Sequence, residues 1–509
     1  MLKLYGIFSK HFRGIFMRRP QPLHAFLFFL FFLFFLFFLA VASALAPTAK
    51  AAERYSTQQI HADLDALQAG IAATHPDPSH SVDPAQLQLA IAALRQRAST
   101  GLDRDAAWRD FSTLNPLLAD GHFFVGYADW RAETEQHLRG GGVLFPFEVT
   151  VDAQARVRIL SELGGTATAL SGSPVATING VPAGAVARAL LAHVHGDSAR
   201  FRADLLSRRW WFFYWKVYGA PATFELTLAG PPQARLRRPA SHARPAIMVG
   251  EDDFDRQFAF GLRPDASAVM TIRTFSWPEP AAFVAFAHRA FQQMQASGTR
   301  TLVIDVRQNG GGDDALWLQG LLPYLADRPY RWASRYTKKA LRDDPAKRER
   351  AGDVLSGTVE TWSAPRTDDP LHFDGKVYVL IGPGTYSSAV LFANAMQDFH
   401  AGTLIGEGAS VRSTQTGGVQ KIALPQTGLV LWAPRLLLVR PSGAATPRWL
   451  TPDIRIDDDP LHPDAMVHAA PWPACARARS AHKKTATWLA LSGCLIWWAV
   501  KDSNLGPID

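Results

Sequence analysis

The sequence predicts an α/β protein, and three observations support this. From residue 269 onward, short apolar runs alternate with helical patterns, as strands covered by helices do. Two of those runs, 301–306 and 377–381, stop at glycine-rich turns and are followed by a new helical pattern. Ahead of them, residues 56–118 carry helical periodicity and residues 145–228 mostly short strands, so two smaller modules precede the α/β domain.

Composition narrows the function. A chain of 509 residues with 48% hydrophobic content is globular, with room for two to four domains. Its net charge of +8 is concentrated at the ends. Residues 1–51 hold six Lys/Arg and no acid, and residues 475–509 hold five Lys/Arg against two Asp, which leaves the body nearly neutral. A phosphate-binding groove is unsupported, so no nucleic-acid partner is expected. The two cysteines, Cys475 and Cys494, both lie near the C-terminus, which gives the body no disulfide framework and no thiolate metal site. No cofactor and no metal are expected.

At the N-terminus, Lys3, Lys10, Arg13, Arg18 and Arg19 precede an apolar run over 25–46, the layout of an export signal. Ala42-Ser43-Ala44 and Ala49-Lys50-Ala51 both offer cleavage sites, and cleavage after Ala51 is the favoured expectation. Uncleaved, the run is long enough to anchor the protein to a membrane. Either way the body is expected outside the cytoplasm: periplasmic, secreted or anchored on the non-cytoplasmic side.

Taken in order, the expected units are a signal peptide or anchor (1–51), a helical domain (52–135), an α+β module (136–240), the α/β domain (241–470) and a basic, apolar tail (471–509). Ile60, Leu64, Leu67 and Ile71 mark a first helix, Asp83-Pro84 opens a second, and Trp108, Phe111, Leu114 and Leu118 suggest a third. The module shows strands around 145–149, 157–160, 175–178 and 224–228, a hairpin signal at Asn179-Gly180 and one helix over 185–195. Such a module suits capture of an extended peptide by strand addition, or serves only as a packing spacer. Residues 230–246, rich in Pro and Arg, read as a linker, and 328–369 as a surface excursion or lid.

Two glycine clusters carry the chemistry. The first helical N–H groups after Gly382-Pro383-Gly384 lack intrahelical partners, and beside a serine hydroxyl they can stabilise negative charge on a substrate oxygen. Ser387 sits where a nucleophile would be useful; the plainer reading is a helix cap from Thr385, Ser387 or Ser388. The other cluster, Gly310-Gly311-Gly312, follows the strand ending at Asp305 and has no Lys-Ser/Thr after it, so it is not a nucleotide loop.

The motif D-x-R-x-N-x-G-G at Asp305 to Gly312, with Ser387 ahead of Ala395-Met396-Gln397-Asp398 and Ile405-Gly406-Glu407, resembles a family of serine peptidases. That family includes the C-terminal processing (tail-specific) proteases, tricorn protease and the interphotoreceptor retinoid-binding proteins. Asp120-Gly121-His122, Ile178-Asn179-Gly180 and Thr451-Pro452-Asp453-Ile454 fall in the same order, so the likeness covers roughly 55–460. The resemblance implies a crotonase-like ββα-spiral catalytic domain, a PDZ-like module and Ser387 as nucleophile. The oxyanion donors would be the N–H groups of Ser388 and Gly311, with Gly312 as the alternative to Gly311. The substrate would be a peptide or unfolded protein.

The family divides by its general base. Where processing proteases carry a lysine, this chain has Val411-Arg412-Ser413, and arginine does not lose its proton near neutral pH. Lys421 is the nearest lysine downstream. His122 matches the histidine of the tricorn-like and retinoid-binding branch, which makes it the expected base. The glutamate with which that branch orients its histidine has no counterpart between Glu407 and Asp453, where Thr446 or a neighbour stands. Asp120, Glu407 and Asp453 are the substitutes to consider, along with a neutral acceptor. The competing expectation is a weak or inactive peptidase-fold protein that binds peptides or apolar ligands, with residues 210–215 as the contact; the plainer and preferred reading of that stretch is an amphipathic core helix. Asp305, Arg307 and Asn309 are expected to shape the glycine loop.

Overall fold

A computed structural model describes residues 54–468 except 100, 231 and 232. The expected leader and the expected tail lie outside the described residues.

Helix α1 (Thr57–Thr74) starts at a capping box in which Ser56 and Gln59 satisfy each other's backbone N–H, and it buries Ile60, Leu64, Leu67 and Ile71. Helix α2 (Pro84–Arg97) is capped by Asp83 and buries Leu87, Ile91 and Leu94. The third helix is broken into α3 (Arg104–Phe111), a 3₁₀ turn (Ser112–Leu114) and a single turn (Asn115–Leu118). Pro116 explains the break: without an N–H it is accepted only in a first helical turn. Strand β1 (Phe124–Gly126) and helix α4 (Trp130–Arg139) follow.

The middle of the chain is richer than expected. Strands β2 (Phe147–Val151) and β3 (Val157–Glu162) form a hairpin. Strands β4 (Val175–Ile178) and β5 (Val181–Pro182) meet across Asn179 and Gly180, both at positive φ as a tight hairpin turn requires. Strand β6 (Thr223–Leu228) pairs with β4 and with β7 (Ala234–Pro239). The segment read as a linker therefore contains an edge strand, in which Arg235, Arg237 and Arg238 are tolerated because one side of an edge faces water.

One helix was expected here and two are present: α5 (Ala183–Leu191) and α6 (Ala199–Tyr218), the second kinked at Arg209. Trp210, Trp211, Phe212, Phe213 and Tyr214 are all buried, so the aromatic run is core. The stretch thus lies in a core helix, the plainer of the two readings that the sequence offers for it.

The C-terminal half is built on a six-stranded sheet. Its strands are β8 (Phe258–Leu262), β9 (Ser267–Ile272), β10 (Thr301–Asp305), β13 (Lys376–Ile381), β14 (Thr403–Gly406) and β19 (Ile454–Arg455). The spatial order is β19-β14-β13-β10-β9-β8, all parallel except the β8 edge. Helices α7 (Pro280–Ser297), α8 (Asp314–Gly320) and α9 (Ser388–Asp398) accompany it, which bears out the α/β class.

The presumed excursion at 328–369 supplies β11 (Arg335–Lys339) and β12 (Val354–Thr358) to a second sheet. Strands β15 (Gln415–Gly417) and β18 (Leu436–Val439) complete that sheet in the order β12-β11-β18-β15. The charged residues of β11 and the Ser-Gly-Thr end of β12 made these strands look like loop. The expected hairpin forms from β16 (Gln420–Ala423) and β17 (Val430–Ala433), and β17 also pairs with β1. At its tip the buried Asp63 carboxylate accepts the N–H groups of Gln426 and Thr427 at 2.8 and 3.0 Å and the Thr427 hydroxyl at 2.6 Å. The helical segment is thereby fastened to the C-terminal half. Among the described residues no helix is long and apolar enough to cross a membrane.

Candidate active site

Strands β10 and β13 are parallel neighbours, so the turns that follow them emerge side by side at the carboxyl edge of the sheet, where α/β proteins build their sites. The turns are tied together. Thr385 Oγ1 donates to Val306 O (2.8 Å), Tyr386 N to Asn309 O (2.9 Å), and Asn309 Nδ2 reaches Ile272 O (3.2 Å). Arg307 pairs with Asp305 and Asp458, so this trio shapes the loop.

Ser387 stands immediately before α9 at φ 53, ψ −124, a conformation costly for a residue with a Cβ. Its N–H donates to Gln415 Oε1 (3.1 Å), and among the described residues no group hydrogen-bonds its hydroxyl. Ser388 differs: its hydroxyl is buried between Asp314 and Trp317 Nε1. Of the two serines only Ser387 has a hydroxyl free to react.

The glycine loop lies against this serine. A Cβ on Gly311 (φ +99) would come within 2.6 Å of Ser387 Cβ and 2.9 Å of Ser388 N. Gly311 N–H is turned onto Asn309 Oδ1 (2.9 Å). Gly312 is bridged in parallel to Phe275 through its neighbours, Gly311 O and Asp313 N, so its own N–H points away from Phe275. Ser388 N–H, the first of α9, has no intrahelical partner.

His122 arrives from the other end of the chain. Asn115 bonds both backbone groups of Val125, which fixes the exit of the helical segment. The β1–β17 pairing then holds the strand just after the histidine. The imidazole lies 4.8 Å, centroid to centroid, from the ring of Tyr386, the residue before Ser387. Its Nδ1 is 2.9 Å from Thr416 Oγ1, and Thr416 follows Gln415, the partner of Ser387 N–H. Burial lowers the His122 pKa to about 4, with Asp197 and the Thr416 hydrogen bond opposing, so the ring is neutral at pH 7.

Sequence reasoning missed Thr416, Gln415 and Asp197. Asp197, buried in the loop before α6, accepts from Gly121 N (3.1 Å), Tyr386 Oη (3.0 Å) and Arg412 N (2.9 Å). Arg412 is buried, with Nη1 2.6 Å from Ala119 O and 3.6 Å from Asp197 Oδ2. In the position of the processing-protease lysine it acts as a clamp on the His122 turn. Burial pushes the Asp120 and Asp197 carboxyls above their ordinary range, while Arg412 holds both down.

The remaining named residues lie apart. Lys421 covers the Trp432 ring at 4.5 Å, Glu407 pairs with Arg200, and Asp453 binds Leu404 N and Gln397. Thr446 lines an open pocket of about 900 Å³ with Lys376 and Thr403, at the amino ends of β13 and β14 and so at the opposite edge of the sheet from Ser387. Among the described residues, no group of three or more His, Cys, Asp or Glu is placed to hold a metal.

With this geometry established, comparison with known proteins identifies the fold. Residues 267–456 match the family model for peptidase family S41. No curated protein matches the chain by sequence. A crystal structure of a serine-to-alanine mutant of CPAF is 14% identical, covers 85% of this chain and 100% of its own, and superposes with a TM-score of 0.59. Mature CPAF complexed with lactacystin is 14% identical, with coverage of 80% and 95% and a TM-score of 0.57. At these identities the likeness is one of fold.

Proposed function

We propose that the chain, whose residues 267–456 match peptidase family S41, is an exported serine endopeptidase in which Ser387 forms the acyl-enzyme and His122 is the general base. One observation carries this reading. The unengaged hydroxyl of Ser387 heads a helix, and the ring of the preceding Tyr386 packs 4.8 Å from a neutral, positioned imidazole, while the adjacent Ser388 is tied down.

In the reaction His122 Nε2 takes the Ser387 proton as Oγ bonds to the scissile carbonyl carbon. The carbonyl oxygen becomes an oxyanion beside Ser388 N–H and Gly312 N–H, because Gly311 N–H is engaged with Asn309. Collapse breaks the C–N bond, His122 returns the proton to the leaving amine, and water then hydrolyses the acyl-enzyme by the same route. A histidine base is what the resemblance gives the tricorn-like branch, and this reading follows that branch. Export rests on the basic and apolar N-terminal segment, and peptides or unfolded segments are the substrate class. Membrane association, if any, would run through that segment.

The test is covalent labelling by a fluorophosphonate probe. Wild type labels, while folded Ser387→Ala and His122→Ala do not. A Ser387→Ala protein that labels at the wild-type rate sinks the assignment.

A further inference from the structure

The missing piece of this site is whatever fixes the histidine. Of the three carboxylates that the sequence offers, only Asp120 joins His122, and it does so through a hydroxyl. Asp120 Oδ1 accepts the His122 backbone N–H at 2.7 Å and the Thr416 hydroxyl at 3.0 Å, and it lies 3.4 Å from the Tyr386 hydroxyl, whose proton goes to the nearer Asp197. Both Asp120 and Thr416 are buried, so no water shell competes.

Donor and acceptor capacity then decides the protonation pattern. Asp120 Oδ1 already accepts the His122 backbone N–H, so it faces Thr416 as an acceptor and the single Thr416 proton points at it. That leaves a Thr416 lone pair facing His122 Nδ1 at 2.9 Å, and Nδ1 must therefore carry the imidazole proton. Nε2 is left bare, as a general base requires. Resting on the Ser387/His122 reading, we propose that Thr416, backed by the Asp120 carboxylate, is the positioning group of His122, where a Ser-His-Asp triad has a carboxylate directly on Nδ1.

During acylation the Ser387 proton moves to Nε2. The Nδ1 proton stays on Nδ1, and no proton reaches Asp120. The imidazolium is stabilised through the polarised Thr416 hydroxyl by a charge one hydrogen bond further away than in a triad. Asp197, Tyr386 and His195 also surround the ring, with Arg412 behind the two carboxylates. None of them is hydrogen-bonded to Nδ1 among the described residues.

The test pairs labelling kinetics with nitrogen NMR on the full chain. Thr416→Val replaces the hydroxyl by a methyl of similar volume. It should lower the limiting fluorophosphonate labelling rate on the order of 100-fold, at the lower end of what a general base contributes, with probe affinity unchanged. Thr416→Ser should restore most of the rate, and Asp120→Asn, which keeps an acceptor oxygen and loses the charge, should label about tenfold more slowly. In Ser387→Ala protein the His122 ¹⁵N shifts should report the Nδ1–H tautomer, and adding Thr416→Val should remove that preference.

An Nε2–H tautomer in Ser387→Ala protein overturns the proposal. So does a Thr416→Val or Asp120→Asn protein that labels like wild type, or a Thr416→Ser protein no better than Thr416→Val. Should Thr416→Val fail to fold, the serine and asparagine variants and the tautomer decide. An unlabelled wild type whose Nδ1–H tautomer is kept by Thr416→Ser would support the positioning role and defeat the peptidase reading. A labelled wild type with the other tautomer would do the reverse.

Discussion

Replacing Arg412 with methionine should loosen the catalytic turn, and the structure sets the size of the effect. Arg412 is the cation between the buried Asp197 carboxylate (3.6 Å) and Ala119 O (2.6 Å), so Arg412→Met leaves Asp197 and Asp120 facing each other without it. Breaking a buried pair by removing one partner costs about 3–5 kcal/mol. Asp197 keeps the N–H groups of Gly121 and Arg412 and the Tyr386 hydroxyl, which puts the expectation near the lower limit, ~3 kcal/mol at pH 8. The Asp197 pKa is already raised by burial and by Asp120, so the orphaned carboxyl can escape by protonation, and the loss should shrink as the pH falls toward 5. Urea denaturation followed by tryptophan fluorescence at pH 8 and pH 5 measures both terms. Arg412→Lys should recover part of the loss. It should not rescue His122→Ala, because its charge points at Asp197 and Ala119 O. A methionine variant within about 1 kcal/mol of wild type at pH 8, or one equally impaired at both pH values, would refute the clamp.

Two further outcomes follow from the same geometry. Gly311→Ala should abolish labelling in a protein that still folds, because the new Cβ meets Ser387 at a backbone φ of +99. Its stability should fall by about 1–3 kcal/mol, and a labelled alanine variant would mean the loop does not brace the serine. The labelling rate should stay level from pH 8 to about 5 and halve near pH 4, where His122 takes up a proton. Since His122 and His75 both have folded pKa values lowered to about 4, their contribution to stability is complete above the unfolded value of 6.5 and is lost as pH falls from 6.5 to 4. Circular dichroism must therefore confirm folding at each point, and a labelling midpoint at 6.5 in folded protein would contradict the buried, neutral base.

The parts of this protein that the sequence made legible are those where backbone chemistry leaves a mark. Ser56 and Asp83 cap helices, Asn179-Gly180 turns a hairpin, and glycines follow apolar strands, each because few residues can do the job there. The serine was therefore found from its turn and helix. Thr416 and Asp197 were invisible for a complementary reason. One sits on a three-residue strand and the other in a loop, and their roles come from partners nearly three hundred and about two hundred positions away. Residues 234–239 misled in a related manner, since an edge strand tolerates the arginines that made the segment look like a linker. The expectation of Gly311 as oxyanion donor could not have anticipated that the Asn309 side chain occupies its N–H.

The bond between His122 and Thr416 spans 294 residues, and the strand that orients the histidine is completed by β17, which is made after the serine. A chain emerging from its N-terminus thus carries an inert histidine, and later an inert serine, until its last sheet has paired. Contacts so distant in sequence form late in folding. Hydrolytic power would then appear as one of the final events of maturation, and an unfinished copy could neither cut itself nor damage its neighbours.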